Sequence, residues 1–213
     1  MTILTFTIIL LLGAFVAGLL GSLTGLGGGV VVIPLLTLLF HVDIRYAIGA
    51  ALLASIATSS GAATAYVKEG ITNIRLGMFL EIATTIGAVI GAVIAIYMPT
   101  NTIAIIFGIV LIFSAAMTIR KKNEHALSGG SALAEKLKLN STYPADGKLI
   151  PYKLTNVVGG FSLMGVAGIL SGLLGIGSGS LKVLAMDSMM KIPFKVSTTT
   201  SNFMIGVTAA ASA

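Results

Sequence analysis

Two long apolar runs, each interrupted by a cluster of glycines, constrain the fold more than any other feature of the sequence. The first run covers residues 3–40 and contains GLGGG at 25–29, and the second covers 154–190 and contains GIGSG at 175–179. Each glycine costs a helix roughly 1 kcal/mol relative to alanine, so neither cluster favours a continuous helix. Open backbone at membrane depth persists only where it is buried in protein or faces a watery cavity. We therefore interpret the two clusters as the working site of a transporter.

The composition indicates a membrane protein. Hydrophobic residues make up 56% of the chain and charged residues 9%, and the mean hydropathy is +1.04, whereas an average soluble domain is about 25% charged. Such a chain has too little polar surface to cover itself in water, which predicts an all-α integral protein of the cytoplasmic membrane. The chain has no cysteine, so disulfides and thiolate metal sites are excluded.

The length of the first apolar run requires a break. As a single helix, residues 3–40 would be roughly 57 Å long, against a hydrocarbon core of about 30 Å. We expect a full span before Gly25 and a shorter, re-entrant segment over 30–40. Further spans are predicted at 46–67, 76–97 and 102–119.

The basic residues predict how the chain is divided and oriented. Seven of the thirteen lie in one polar stretch, namely Arg120, Lys121, Lys122, Lys136, Lys138, Lys148 and Lys153. A basic loop between spans marks the cytoplasmic side, and its position does not indicate a nucleic-acid partner. We expect an N-terminal transmembrane repeat at 1–119, a basic cytoplasmic loop at 120–153, and a C-terminal transmembrane repeat at 154–213 that is incomplete. The loop at 68–75 then lies inside, and the turns at 41–45 and 99–101 lie outside.

The chain matches itself when it is shifted by 150 residues. Seven alanines, glycines and leucines of 17–29 recur in 167–179, and the register continues without a gap to Thr58 and Thr208. This predicts two internal repeats of transmembrane helices, each opening with a Gly-broken or re-entrant helix, and interrupted segments at matching positions are typical of transporters. If each broken run enters and leaves on one face, the halves are inverted; if each crosses once, they are parallel. The positive-inside bias favours the inverted arrangement.

Three motifs carry a resemblance to a known family: 25–29 followed by Pro34, 175–179 followed by LKV at 181–183, and TSNF at 200–203 opening the next helix. Together they resemble the sulfite exporter TauE/SafE family, also called the toluene-sulfonate uptake permease family, over essentially the whole chain. The resemblance implies export or uptake of sulfite, sulfoacetate or other organosulfonates through a fold of two repeats. The chain departs from the pattern at Ser178, at Leu184 and in the absence of the last two spans expected.

The breaks provide candidate ligands for an anion. A broken helix brings free N–H groups and the positive end of its dipole to membrane depth, where both attract anions. Hydroxyl groups, a lysine within an apolar span and the polar residues that open the last helix would add to these amides. The candidate substrate-binding residues are Gly27, Gly28, Gly29, Gly177, Ser178, Gly179, Ser180, Lys182, Ser201 and Asn202.

Plainer interpretations of the same residues stay open. The glycines would also serve close helix crossing, Ser201 and Asn202 would also cap a helix, and Lys182 would also reach back to the interface. Lys182 has Asp187 as a nearby carboxylate, although five residues is a poor helical spacing for a pair. Glu81 is expected at the interface, and with Asp187 it is a carboxylate available for proton coupling.

Enzymatic functions lack the residues that they need. A serine protease would require a histidine within a span, and His41 and His125 lie at or beyond the ends of the apolar runs. No metal-ligand cluster or nucleotide-binding loop is present in the sequence. We expect no enzyme activity and no cofactor, and an anion channel or a structural membrane subunit is the alternative to a transporter. The expected partners are a small anion and membrane lipid, with a homodimer left open.

Overall fold

The structure is a computed structural model, and it describes residues 3–119, 130–145 and 148–213. It is mostly helical within these ranges. Part of the predicted basic loop, with Arg120, Lys121, Lys122 and His125, lies outside the described residues.

In the first half of the chain, the regular elements of the described residues are all helices. Its elements are α1 (Ile3–Thr24), α2 (Gly29–Pro34), a π-helical segment π1 (Leu35–Leu39), α3 (Ile44–Lys68), α4 (Ile74–Tyr97) and α5 (Thr100–Ile119).

The second half adds a small hairpin to the same kinds of element. Its elements are α6 (Ala132–Lys136), β1 (Ser141–Ala145), β2 (Lys148–Tyr152), α7 (Val157–Leu174), α8 (Gly179–Leu184), a π-helical segment π2 (Ala185–Met189) and α9 (Phe194–Ser212). The antiparallel hairpin pairs Ser141 with Tyr152. The hairpin was not predicted, because the sequence indicated a polar loop over 120–153.

Within the described ranges, four helices are long and apolar enough to cross a membrane: α1, α3, α4 and α7. Their large apolar side chains are exposed in many places, among them Leu12 at 58%, Ile86 at 58% and Val158 at 63%. Exposed apolar surface on this scale is unsuited to water and suits lipid contact. The helices therefore agree with the predicted class of membrane protein.

Glycines let α4 and α7 pack with their backbones in contact. A Cβ placed on Gly91 would lie 2.0 Å from a carbonyl oxygen of α7, and one placed on Gly172 would lie 1.9 Å from a carbonyl oxygen of α4. Gly87 and Gly168 approach the facing helix in the same way. Small residues four positions apart are the usual means by which transmembrane helices come this close. This contact joins the first half of the chain to the second.

Hydrogen bonds between loops show which ends of the helices share a face. The Arg45 guanidinium donates to the carbonyl of Met98 at 2.7 Å, so the turns before α3 and after α4 are neighbours. At the other end of the same helices, the Arg75 guanidinium donates to the carbonyl of Lys138 at 3.2 Å. The loops predicted to lie outside thus share one face, and those predicted to lie inside share the other.

Asn73 anchors the hairpin to the start of α4. Its side-chain oxygen accepts from Leu76 N at 3.0 Å as a helix cap, and its Nδ2 donates to the carbonyl of Leu139 at 2.9 Å and to Tyr152 Oη at 2.8 Å. Burial raises the pKa of Tyr152 to about 12, against the lowering effect of the hydrogen bonds from Asn73 and Ser141. The neutral phenol is therefore the form that the fold stabilises.

Alkaline pH should loosen this anchor. The pKa of Tyr152 is higher in the folded chain than its ordinary value of 10, so its contribution is complete below pH 10 and is lost as the pH rises through 12. The free energy of unfolding should fall by about 2–3 kcal/mol over that interval. Thermal unfolding of the purified protein as a function of pH measures this fall. Tyr152→Phe should remove it and Tyr143→Phe should retain it; equal alkaline profiles in both variants would contradict the assignment.

Candidate functional site

Both glycine clusters form tight turns between helices. In the first, α1 ends at Thr24, and Gly25 and Gly27 adopt φ values of +70° and +82°. In the second, α7 ends at Leu174, and Gly175 and Gly177 adopt +66° and +67°. Positive φ is accessible to glycine at little steric cost, so these residues can end one helix and redirect the chain into the next. Ser178 also has a positive φ, of +43°.

The two turns lie against each other in the interior. A Cβ placed on Gly29 would lie 3.1 Å from the carbonyl oxygen of Gly175, and one placed on Gly179 would lie 2.0 Å from that of Gly25. Gly27 also approaches the second turn, since its Cβ would lie 3.3 Å from the carbonyl oxygen of Ile176. Only residues without a side chain permit so close an approach. Hence α2 and α8 begin next to each other.

The polar residues 198–202 of α9 cover the junction, that is, the contact between the turn at 25–28 and the turn at 175–178. Ser201 Oγ donates to the carbonyl of Gly25 at 2.9 Å and lies 3.4 Å from that of Gly179. Asn202 Nδ2 donates to the carbonyl of Ser22 at 2.6 Å, at the end of α1. Both side chains are buried. The structure therefore brings Ser201 into contact with both turns and Asn202 into contact with the helix that leads to the first.

Several buried polar atoms near the junction have no hydrogen-bond partner among the described residues. They include Ser55 Oγ, Ser178 Oγ and Asn202 Oδ1. Ser55 Oγ would lie 3.2 Å from a Cβ on Gly29, so its hydroxyl faces the start of α2. Ser178 immediately precedes α8 and is 1% exposed. Unpartnered buried hydroxyls are costly to a fold unless something else satisfies them.

The other predicted ligands differ in their surroundings. Gly28 lies apart from the second turn, since its Cβ would approach Thr58 Oγ1 at 3.2 Å and Ala17 O at 3.7 Å. Gly177 faces the side chain of Ile205. Ser180 is half-buried in the first turn of α8.

Lys182 is fully buried and is linked to α9 and α4. Its Nζ donates to Thr208 Oγ1 at 2.5 Å and lies 3.9 Å from Glu81 Oε2. Thr208 Oγ1 in turn donates to Glu81 Oε1 at 2.5 Å. Thr208 lies seven residues after Ser201, which places both on one side of α9, about 10 Å apart along its axis.

One expectation about charged residues was wrong. Glu81 is 7% exposed and is enclosed by α8 and α9, so it is a buried partner of Lys182 and not an interfacial carboxylate. Of the interpretations left open for Lys182, reaching back to the interface does not hold, and the carboxylate beside its ammonium is Glu81. The physical reason is that α4 packs against α9, which brings Glu81 to the lysine from a distant part of the sequence.

The sequence indicated Ser59, with Thr58 and Ser60, only as a weaker candidate ligand, and it did not indicate Thr208 or Ser55. Ser59 Oγ donates to the backbone carbonyl of Asn202 and accepts from Gly206 N at 2.8 Å, which ties α3 to α9. The one available signal was the match of Thr58 with Thr208 across the shift of 150 residues. A lone threonine in an apolar helix bonds its own backbone in most cases, so this signal was weak.

A groove of about 450 Å³ lies between α1 and α3 and opens to the exterior. Ser22, Thr58 and Tyr66 supply its polar atoms, and the rest of its lining is apolar or glycine. Because Thr58 also approaches Gly28, the groove extends to the edge of the first turn.

Comparison with known proteins identifies relatives over almost the full chain. The family described as "Sulfite exporter TauE/SafE" matches residues 10–213. The chain is 34% identical over 208 residues to the "Probable membrane transporter protein YunE" of Bacillus subtilis, an alignment that covers 94% of this chain and 74% of the relative. It is 26% identical over 197 residues to the "Probable membrane transporter protein YdhB" of the same organism, covering 92% and 73%.

A similar protein from Methanocaldococcus jannaschii, also named a probable membrane transporter, is 26% identical over 193 residues and aligns with 88% of this chain and 63% of its own length. No solved structure matches the chain. The relatives are named probable membrane transporters, which confirms the prediction of a transporter and not an enzyme. The four apolar helices confirm the predicted multi-pass location in a membrane. The match to the family model over residues 10–213 and the identity to YunE show that this chain belongs to the family described as "Sulfite exporter TauE/SafE".

Proposed function

We propose that this protein is a secondary transporter of small sulfur-containing anions, such as sulfite, sulfoacetate or other organosulfonates. The backbone amides at the two glycine turns, at the interface between two inverted repeats, would hold the anion in mid-bilayer. The observation that carries the proposal is the direct contact of the two turns, with unpartnered serine hydroxyls beside it.

Matching element boundaries support the proposed repeats. Each element from α7 to π2 ends 150 residues after its counterpart in α1 to π1, as Leu174 does after Thr24 and Met189 after Leu39. The contacts between the turns are also reciprocal: Gly29 faces Gly175 as Gly179 faces Gly25. Reciprocal contacts of this kind are expected where a two-fold axis relates two units.

The ends of the broken runs support the inverted arrangement. The rings of Phe6 and Phe40 lie 4.6 Å apart, so the first run starts and ends on one face. Thr155 N donates to Met190 O at 3.0 Å, so the second run also starts and ends on one face. The second run ends beside the loop that contains Lys138, whereas the first ends beside Arg45, on the other face. We therefore propose an N-terminal repeat at 1–119, a basic cytoplasmic loop at 120–153 and a C-terminal repeat at 154–213.

Chemistry at the junction supports an anion as the ligand. The first N–H groups of α2 and α8 lack partners within their own helices, and the positive ends of both helix dipoles lie beside each other. Ser55 and Ser178 add buried hydroxyl donors without a partner. Such a site would bind an oxyanion without a metal ion.

Flux measurements test the proposed function directly. We expect purified protein in liposomes to take up labelled sulfite or an alkanesulfonate with saturation, and to exchange it against unlabelled anion on the opposite side. Flux without saturation or exchange would indicate a channel instead. If the protein shows neither flux nor an anion-dependent thermal shift, the transport function is refuted and a role as a structural subunit is the alternative.

Removing the hydroxyl of Ser178 should weaken anion binding without weakening the fold. A hydrogen bond to a charged ligand contributes about 1.5–3 kcal/mol, so Ser178→Ala should raise the Kd about 10- to 100-fold. Because the hydroxyl has no partner among the described residues, the melting temperature without anion should stay close to that of the wild type. Isothermal titration and thermal unfolding measure the two effects. Thr64→Val, an exposed site on α3, is the control; an unchanged Kd in Ser178→Ala would remove this residue from the site.

A further inference from the structure

A buried relay of three side chains connects α8, α9 and α4. Lys182 Nζ donates to Thr208 Oγ1, which donates to Glu81 Oε1, and Thr85 Oγ1 donates to the same oxygen at 3.2 Å. The lysine side chain is 0% exposed and the carboxylate side chain 9%. Charges buried at membrane depth are expensive, so they are a sign of function in a membrane protein.

The hydrogen bonding of the carboxylate is unequal. Glu81 Oε1 has two hydroxyl donors, whereas Oε2 has no hydrogen-bond donor among the described residues and has only the lysine at 3.9 Å. A buried carboxylate oxygen without a donor is unfavourable when charged, and a proton bound there would relieve the cost. Oε2 is therefore the oxygen at which a proton could be accommodated, whereas Oε1 already accepts two hydrogen bonds.

Other charges on the elements that pack against α4 and α8 lie farther from the relay. Among the described residues they are Arg75 at the start of α4, Asp187 in π2 and Lys195 near the start of α9. Arg75 lies about 9 Å from Glu81 along its helix and donates to Lys138 in the loop. Lys195 is exposed and lies thirteen residues before Thr208. Asp187 is half-buried, five residues beyond Lys182. Lys182 is the charged residue that forms an ion pair with Glu81.

Lys182 is also placed to serve the junction of the turns. It lies three residues after Gly179, whose backbone contacts the first turn. Its ammonium bonds Thr208, three residues after Ile205, whose side chain faces Gly177 of the second turn. A change of rotamer would let its ammonium pair with an anion there in place of Glu81.

We propose that Glu81 is the proton-binding site through which anion binding is coupled to a proton. The inference rests on the proposed function. With Lys182 and Glu81 paired, the site is neutral. A monovalent anion that pairs with the ammonium leaves Glu81 as the one uncompensated negative charge, and one proton on Oε2 restores neutrality. The site therefore takes up one proton with each monovalent sulfur oxyanion, such as an alkanesulfonate.

Calorimetry with ethanesulfonate tests the coupling, because this probe stays a monoanion from mildly acidic to alkaline pH. Titration of the full chain in two buffers of different protonation enthalpy counts the protons taken up. We expect about one proton for each anion, and a Kd that rises about tenfold per pH unit wherever one proton is taken up with the anion. The count uses the wild-type protein, so it does not depend on whether a variant folds.

Variants identify the carboxylate. Glu81→Gln imitates the protonated state, so it should bind ethanesulfonate without proton uptake and with a Kd independent of pH. Glu135→Gln, at an exposed glutamate of α6, should keep the wild-type behaviour. Anion binding without proton uptake by the wild type, or undiminished uptake by Glu81→Gln, would overturn the coupling and leave the proposed function standing. If neither ethanesulfonate nor sulfite binds at all, the proposed function fails, and the coupling with it.

Discussion

Replacing Gly179 by alanine is expected to destabilise the protein by more than about 3 kcal/mol. The new Cβ would lie 2.0 Å from the carbonyl oxygen of Gly25 and 2.6 Å from the Cα of Leu26. Both are backbone atoms, so the clash is relieved only by separating the two turns, and overpacking of this kind costs up to 3 kcal/mol or more. Thermal unfolding in detergent should show a melting temperature lower by at least about 6–12 °C.

Two neighbouring glycines provide a graded control. Gly29→Ala should have an intermediate effect, because its Cβ would lie 3.1 Å from the carbonyl oxygen of Gly175. Gly28→Ala should change stability by less than about 1 kcal/mol, since Gly28 has a φ of −66° and its nearest neighbour is the movable hydroxyl of Thr58 at 3.2 Å. Equal melting temperatures for Gly28→Ala and Gly179→Ala would show that the turns are not in contact.

The second large effect is expected for Lys182→Ala. This change leaves Glu81 buried without its cation and also removes a donor from Thr208. Breaking one side of a buried ion pair costs about 3–5 kcal/mol, because the remaining carboxylate either stays charged without its cation or has to bind a proton. Thermal unfolding measures the loss, and Lys195→Ala, at an exposed lysine on α9, should stay within about 0.5 kcal/mol of the wild type.

A double variant separates the lost charge from the lost packing. Lys182→Met with Glu81→Gln removes both charges and keeps similar volumes, so it should recover most of the stability lost in Lys182→Ala. If the double variant is as unstable as Lys182→Ala, packing of the lysine stem explains the loss. The pair would then have no special role in stability.

Local features of the sequence predicted the class and the positions of the helices well. The spans predicted at 46–67 and 76–97 correspond to Ile44–Lys68 and Ile74–Tyr97, because long apolar segments bounded by charged residues or a polar turn have few other solutions in a membrane. Helix ends coincide with Gly25 and Gly175, since positive φ there depends on the glycine itself. The hairpin was missed because Pro144 and Pro151 argue against strands in isolation.

The contacts within the candidate site could not be predicted from neighbouring residues in the sequence. Ser201 and Lys182 attracted attention as polar residues in apolar helices, but nothing near them in sequence identified their partners. Ser201 bonds a carbonyl 176 residues away, and Thr208 bonds Glu81 across 127 residues. The position of Glu81, six residues past Arg75, suggested an interfacial residue, and only the packing of α4 against α9 encloses it.

The sequence by itself determined that this chain is a helical membrane protein whose helices are interrupted at two glycine clusters, because hydropathy and backbone freedom are properties of each segment alone. Only the tertiary structure decided that the two turns meet and that Lys182 pairs with Glu81. Those contacts depend on how α4 packs on α7 and α9, which the small residues of several helices determine together.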